Sequence, residues 1–284
     1  MALPASGNSI SLNQMHTEVW STSGSLVSLN DADIRGMIFK SSQAQMSFSE
    51  WYGVTPPIGV TYVNKYDYTG SSSMASTTTM SLSGLSSNPT TLVVGAHWMD
   101  KNHTGLSPSA PTLAASGGYT VTDDLDPAFN DDGFDEKKYL RWHRVYIGTA
   151  TSVTLTGTRG GFGSTPAAGG WRIWECTGNL QLGATSKSSS SYSDAQWNDS
   201  GQTPGPTATA SINANERDVV FVSTVGNANI PSSISNVDSG SQVTGNYSRM
   251  GYDTRGSGDS GSVTYSSSGF GAGGGIAAVR YYLS

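Results

Sequence analysis

Apolar and polar positions alternate over short distances from residue 90 onward, in runs separated by Gly, Ser and Pro. The runs at 91–98, 119–122, 140–147, 152–156, 171–176, 208–212, 218–224, 262–265 and 275–283 read as strands. In Ser152-Val153-Thr154-Leu155-Thr156, Val153 and Leu155 share one face. Val219-Val220-Phe221-Val222 is apolar on both faces and reads as a central strand. No long helical period interrupts the series. The pattern predicts a mainly β chain: a two-sheet antiparallel β-sandwich, jelly-roll-like, over 90–284. The last run nearly reaches Ser284, which predicts a C-terminal strand inside a sheet.

The first 53 residues are patterned differently. Ile10-Ser11-Leu12-Asn13, Val27-Ser28-Leu29-Asn30 and Met46-Ser47-Phe48-Ser49 each place a Ser between apolar residues, with Gln14, Asp31 or Glu50 three positions after the Ser. Ser11 with Gln14 and Ser47 with Glu50 match the capping box, and Ile10, Val27 and Met46 suit the staple position. Three short helices are expected, each too short to be stable alone. Their apolar residues are Leu12, Met15 and Val19, then Leu29, Ile34, Met37 and Ile38, then Phe48, Trp51 and Tyr52. Two readings stay open: a miniature domain closing on itself, or a module that docks through these residues onto another protein or its own copies. Pro56-Pro57 ends the region, and 54–89 reads as a linker or edge strand, with a strand expected over 58–68.

Composition narrows the function. Charged residues are 13% and the net charge is −6, so a basic face for a polyanion such as DNA is not expected. Aromatic residues at 10% argue against a disordered linker. No apolar run approaches the length of a membrane-spanning helix. The single cysteine, Cys176, rules out an internal disulfide and a multi-thiolate metal site. The opening Met1 to Gly7 lacks the basic and apolar stretches of a secretory leader, which points to synthesis in a reducing cytoplasm.

Candidate chemistry is sparse. Gly258-Asp259-Ser260-Gly261 has the form of a serine-protease nucleophile, with His97 and Asp126 earlier in the chain. A triad is defined by geometry, however, and the tetrapeptide sits in a glycine- and serine-rich stretch, so a structural turn is expected. Asp123, Asp124, Asp126, Asp131, Asp132, Asp135 and Glu136 form an acidic segment that either binds a hard cation or stays solvated beside Lys137, Lys138 and Arg141. His16, His97, His103 and His143 lack metal-ligand spacing, and His143 reads as a structural histidine. No metal, cofactor or catalytic residue is expected. Aromatics in polar loops are the receptor-contact candidates: Trp197 first, then Tyr192 and Tyr252.

The segments Leu3 to Asn13, Val27 to Arg35 and Met46 to Gly53, in that order, resemble the head of virion structural proteins of tailed bacteriophages, especially those of marine bacteria and cyanobacteria. The rest of the chain is similar in style to the glycine- and serine-rich β-sandwiches of phage appendage and decoration proteins, a likeness that carries no functional residues. The resemblance implies a tail-associated fibre, tail-tip or baseplate component residing in the virion. Residues 1–53 would anchor it to other virion proteins, and a homo-oligomer, with a trimer favoured, would present the sandwich to a host-surface glycan or protein. A capsid decoration or head-fibre protein is the alternative within the class. A tail-associated polysaccharide-degrading enzyme, which needs two carboxylates across a cleft, and a free carbohydrate-binding module are the rivals from other classes.

Overall fold

Strands that are apolar on both faces must be covered on both sides, and that requirement sets the layering. The computed structural model describes residues 3–19, 26, 28–41, 43–69, 77–100, 111–125, 128–130, 137–158, 166–191, 207–226, 230–245, 247–270 and 273–283. It contains β1 (Val60–Thr69), β2 (Thr77–Ser83), β3 (Thr90–Asp100), β4 (Thr112–Ala115), β5 (Val121–Leu125), β6 (Ala128–Asn130), β7 (Lys137–Gly148), β8 (Ser152–Thr158) and β9 (Pro166–Thr177). There follow β10 (Leu180–Ser191), β11 (Ala208–Ala214), β12 (Val219–Gly226), β13 (Val243–Gly245), β14 (Ser248–Thr254), β15 (Gly261–Ser267) and β16 (Gly273–Leu283).

The described strands form four antiparallel sheets where the sequence predicts two. Sheet I has the order β2-β8-β4, and sheet II β1-β9-β3-β7-β5 with β6 also on β7. Sheet III has the order β10-β16-β12-β14-β13, and sheet IV pairs β11 with β15. Three cores separate them. Met80, Leu155, Trp98 and Trp171 lie between sheets I and II. Trp142 and Trp174 of sheet II meet Phe221, Val279 and Tyr281 of sheet III. Ile212 and Tyr265 of sheet IV meet Val222 and Ile276 of sheet III. Outer strands alternate, as β8 and β11 do, while β12 is buried along its whole length. Two inner sheets, each packed on both faces, explain why the chain holds so many doubly apolar runs.

Both halves of the stack repeat one pairing scheme. β1 pairs with β9, β2 with β8 and β3 with β7; β10 pairs with β16, β11 with β15 and β12 with β14. Even the irregularity recurs, since register shifts between Tyr62 and Asn64 in β1 and between Leu182 and Ala184 in β10. Where β4 flanks β8, the segment around Ser232 and Ser235 flanks β15 through backbone bonds to Ser268 and Ser266. Ser152-Val153-Thr154-Leu155 in β8 is echoed by Ser262-Val263-Thr264-Tyr265 in β15, with Val153 opposite Leu82 and Val263 opposite Ile212.

Among the described residues the N-terminal region holds two α-helices, α1 (Leu12–Glu18) and α2 (Ala32–Gly36), and one 3-10 turn (Phe48–Trp51). The expected third helix is cut short because Gly53 takes a positive φ of 69° and the proline pair follows. Both capping boxes form, at Ser11 with Gln14 and at Ser47 with Glu50. Helix α2 begins later than Ser28 predicts, because the Asp31 carboxylate reaches back to accept from the Ser28 N–H at 2.8 Å and makes the intervening residues a turn. Leu3, Met15, Ile34, Met37, Ile38 and Trp51 form a core of their own, so the region closes on itself. Leu3 N–H to Val54 O and Gly53 N–H to Pro4 O seal its two ends together. The chain then passes through Pro56-Pro57 to Ile58, which belongs to the central core. Segment 54–89 carries β1 and β2, each at the edge of its sheet.

Candidate functional site

The two halves are joined by Gly178 and Asn179, between β9 and β10. Where the link crosses from sheet II to sheet III, the backbone groups of the buried Gly178 and Leu180 need partners. Thr91 of β3 supplies them: its hydroxyl donates to Gly178 O at 2.6 Å and accepts from Leu180 N–H at 3.1 Å. Arg144 of β7 donates from Nη1 to Leu180 O at 2.5 Å and from Nε to both oxygens of Asp124, at 3.0 and 2.9 Å. Tyr281 of β16 donates to the same carboxylate at 2.8 Å. Burial pushes the Asp124 carboxyl above its ordinary value, against the pull of Tyr281 and Arg144, and drives the Tyr281 phenol well above its own.

Over this network lies a cleft of about 310 Å3, lined by Thr91, Gly118, Tyr119, Thr120, Thr122, Arg144, Tyr146, Asn179 and Leu180. Strand pairing builds it. Tyr146 stands opposite Thr91, and Thr122 opposite Arg144. Tyr119 is placed by the turn at Gly117 and Gly118, with φ of +79° and +77°. A Cβ on Gly117 would sit 2.9 Å from the Tyr119 ring, so this close approach requires glycine. Tyr146 is 42% exposed, Tyr119 half-buried and Asn179 exposed. The lining offers two phenol rings, hydroxyls, an amide and a guanidinium whose charge is offset by the carboxylate beneath it.

The residues singled out in the sequence fall elsewhere. Met15, Ile34, Met37 and Trp51 are buried in the module's own core; Leu12, Val19, Leu29 and Tyr52 are half-buried, and Phe48 is 54% exposed. Tyr252 lies on β14, not in a loop, with its ring centroid 5.9 Å from that of Phe221. Tyr192 and Trp197 lie outside the described residues. Ser260 belongs to the loop that joins β14 to β15, where its hydroxyl accepts from Glu216 N–H at 3.2 Å and Gly258 N–H donates to the Glu216 carboxylate. His97 is wholly buried on β3 in the other half, and Asp126 lies outside the described residues.

In the acidic segment, Asp123 pairs with Arg141 at 2.8 Å and with His143 Nδ1 at 2.6 Å. Asp124 belongs to the junction, and residues 131–136 are outside the described set. Among the described residues no group of three His, Cys, Asp or Glu side chains is disposed to hold a metal ion. His143 is buried beside Trp171, as a structural histidine would be, and His103 is not described. Cys176 is buried, and burial raises its thiol far above the ordinary value.

The cleft itself was missed: Tyr119, read in the sequence as part of a strand, sits beside the turn ahead of β5, and only the run at 140–147 is a strand throughout. A Gly-Gly pair directly before an aromatic residue was the available signal. No family model matches the chain, and neither does any curated protein or solved structure.

Proposed function

We propose that this chain is a non-enzymatic structural protein of a tailed-bacteriophage virion, a fibre, tail-tip or baseplate appendage. Its N-terminal module anchors it to other virion proteins, and its β stack faces the host surface. The observation that carries the reading is the division of the chain into two separately cored parts. The module has a core sharing no residue with those of the sheets. It meets the stack through Arg217, which donates to Thr55 O at 2.6 Å and lies 4.6 Å from the centroid of the Phe39 ring. A small independent unit on a proline-stiffened connection suits an anchor.

The order of the three capped segments, which resembles the head of phage appendage proteins, supports the same reading. The nested strand order supports a jelly-roll reading, an architecture used by viral coat and lectin domains. Fold alone does not fix the role, and a capsid decoration or head-fibre protein would use the same parts. A homo-oligomer, with a trimer favoured, fits the symmetry of such appendages.

Locating the protein in a particle reconstruction, with and without residues 1–53, tests the proposal. The full chain is expected at the tail, and the truncated chain is expected to fold but to be missing from particles. Density on the capsid shell would move the protein to the decoration class. Normal incorporation of the truncated chain would remove the anchor role.

A further inference from the structure

We infer that the cleft at the junction of the two halves binds a single uncharged hexopyranose unit of a surface glycan. This inference rests on the host-contact reading above and names its ligand class. Size is the first argument. At about 310 Å3 the cleft stands at the lower end of small-molecule sites, room for one sugar ring and not an extended chain. Chemistry is the second. A pyranose has an apolar C–H face and a rim of hydroxyls that both donate and accept. Tyr119 and Tyr146 offer ring faces and phenols, and Thr120, Thr122 and Asn179 offer groups of matching capability.

Charge is the third argument. Arg144 is tied through Nε and Nη1, and Nη2 has no acceptor among the described residues. Its positive charge already faces the Asp124 carboxylate at 2.9 Å, so the cleft has a donor to offer without the net charge that would select an acidic sugar. Preorganisation is the fourth. The glycine pair fixes Tyr119, and the junction network fixes Arg144, so little ordering remains to be done on binding.

The test is saturation-transfer NMR on the intact chain, with methyl glycosides of glucose, galactose and mannose as probes and methyl glucuronide as the acidic counterpart. Transfer to the ring C–H protons of at least one neutral glycoside is expected, with roughly millimolar affinity. It should be lost in Tyr146→Ala, fall several-fold in Asn179→Ala and persist in Tyr146→Phe. Melting temperatures of all three variants should match the parent, because the replaced side chains are exposed. No transfer from any neutral glycoside, preference for the glucuronide, or undiminished transfer in Tyr146→Ala would each overturn the inference. The reconstruction decides the virion reading separately, so a protein found in the particle that binds no sugar would sink the cleft assignment alone.

Discussion

Indole rings in this protein rest on glycines. A Cβ at Gly157 would come within 2.5 Å of the Trp171 ring, one at Gly169 within 2.1 Å of Trp98, and one at Gly95 within 2.9 Å of Trp142. Here glycine makes room, and the strand positions give it no turn to make. Gly169→Ala is therefore expected to destabilise the fold by about 1–3 kcal/mol through overpacking, read as a lower urea midpoint. Ser260→Ala, in an exposed loop, should stay within about 0.5 kcal/mol of the parent. His143 supplies a pH signature. Burial holds its imidazole below the ordinary value, although Asp123 pulls it up. The unfolded imidazole takes up its proton near pH ~6.5, the folded one only at lower pH, so the unfolded state binds more protons between the two. Stability from this group is complete above about pH 6.5 and falls as the pH drops toward the folded value. Urea titrations across that window should show the fall in the parent and a flatter profile in His143→Gln; equal slopes would contradict the burial argument. At this scale the sequence marked His143 as a structural histidine, and it is buried, but glycine's two uses look alike in one dimension.

Elements with strong apolar runs were legible, and those without were not. Eight of the nine predicted runs coincide with strands, because burial on one or both faces writes itself as alternation or continuity, and 119–122 overlaps only the first two residues of β5. β10 was invisible: Leu180–Ser191 is largely Ser, Thr and Lys, and it is held at a sheet edge by backbone pairing to β16. Short β4, β6 and β13 were equally hidden. In the N-terminal module the caps were readable because they are local, whereas the length of each helix depended on what followed. The module's separate core gives a further prediction. Trp51→Ala should cost about 3–5 kcal/mol and melt the module while leaving the sheets intact. Amide exchange should then rise for residues of α1 and α2 and stay protected in β3 and β12. Loss of protection in the central strands would show that the two parts fold as one.

At the scale of the whole molecule, what the sequence hid was the doubling. A series of strands read in order looks the same whether it closes one sandwich or two, and the echo between β8 and β15 is only four residues long. The cleft was hidden as well, since strand pairing brings Thr91, Thr122 and Arg144 together from distant parts of the chain, and the Tyr281 contact to Asp124 beneath them forms only when the halves meet. Tyr281→Phe tests that meeting. Removing the hydroxyl that reaches Asp124 across the junction should cost about 0.5–1.5 kcal/mol, seen as a fall in melting temperature with the fold unchanged. Nested pairing also dictates an order of events at the ribosome. β1 waits unsealed until β9, the last strand of its half, has emerged. The face of sheet II that carries Trp142 and Trp174 must then wait, at about 5–20 residues per second, on the order of ten seconds for β10 to β16 to be made and laid over it. For that interval the nascent chain displays the most apolar surface it will ever own. Crowded polysomes would let such faces find one another, so the yield of this protein in a cell should depend on translation speed and chaperone supply as much as on its final stability.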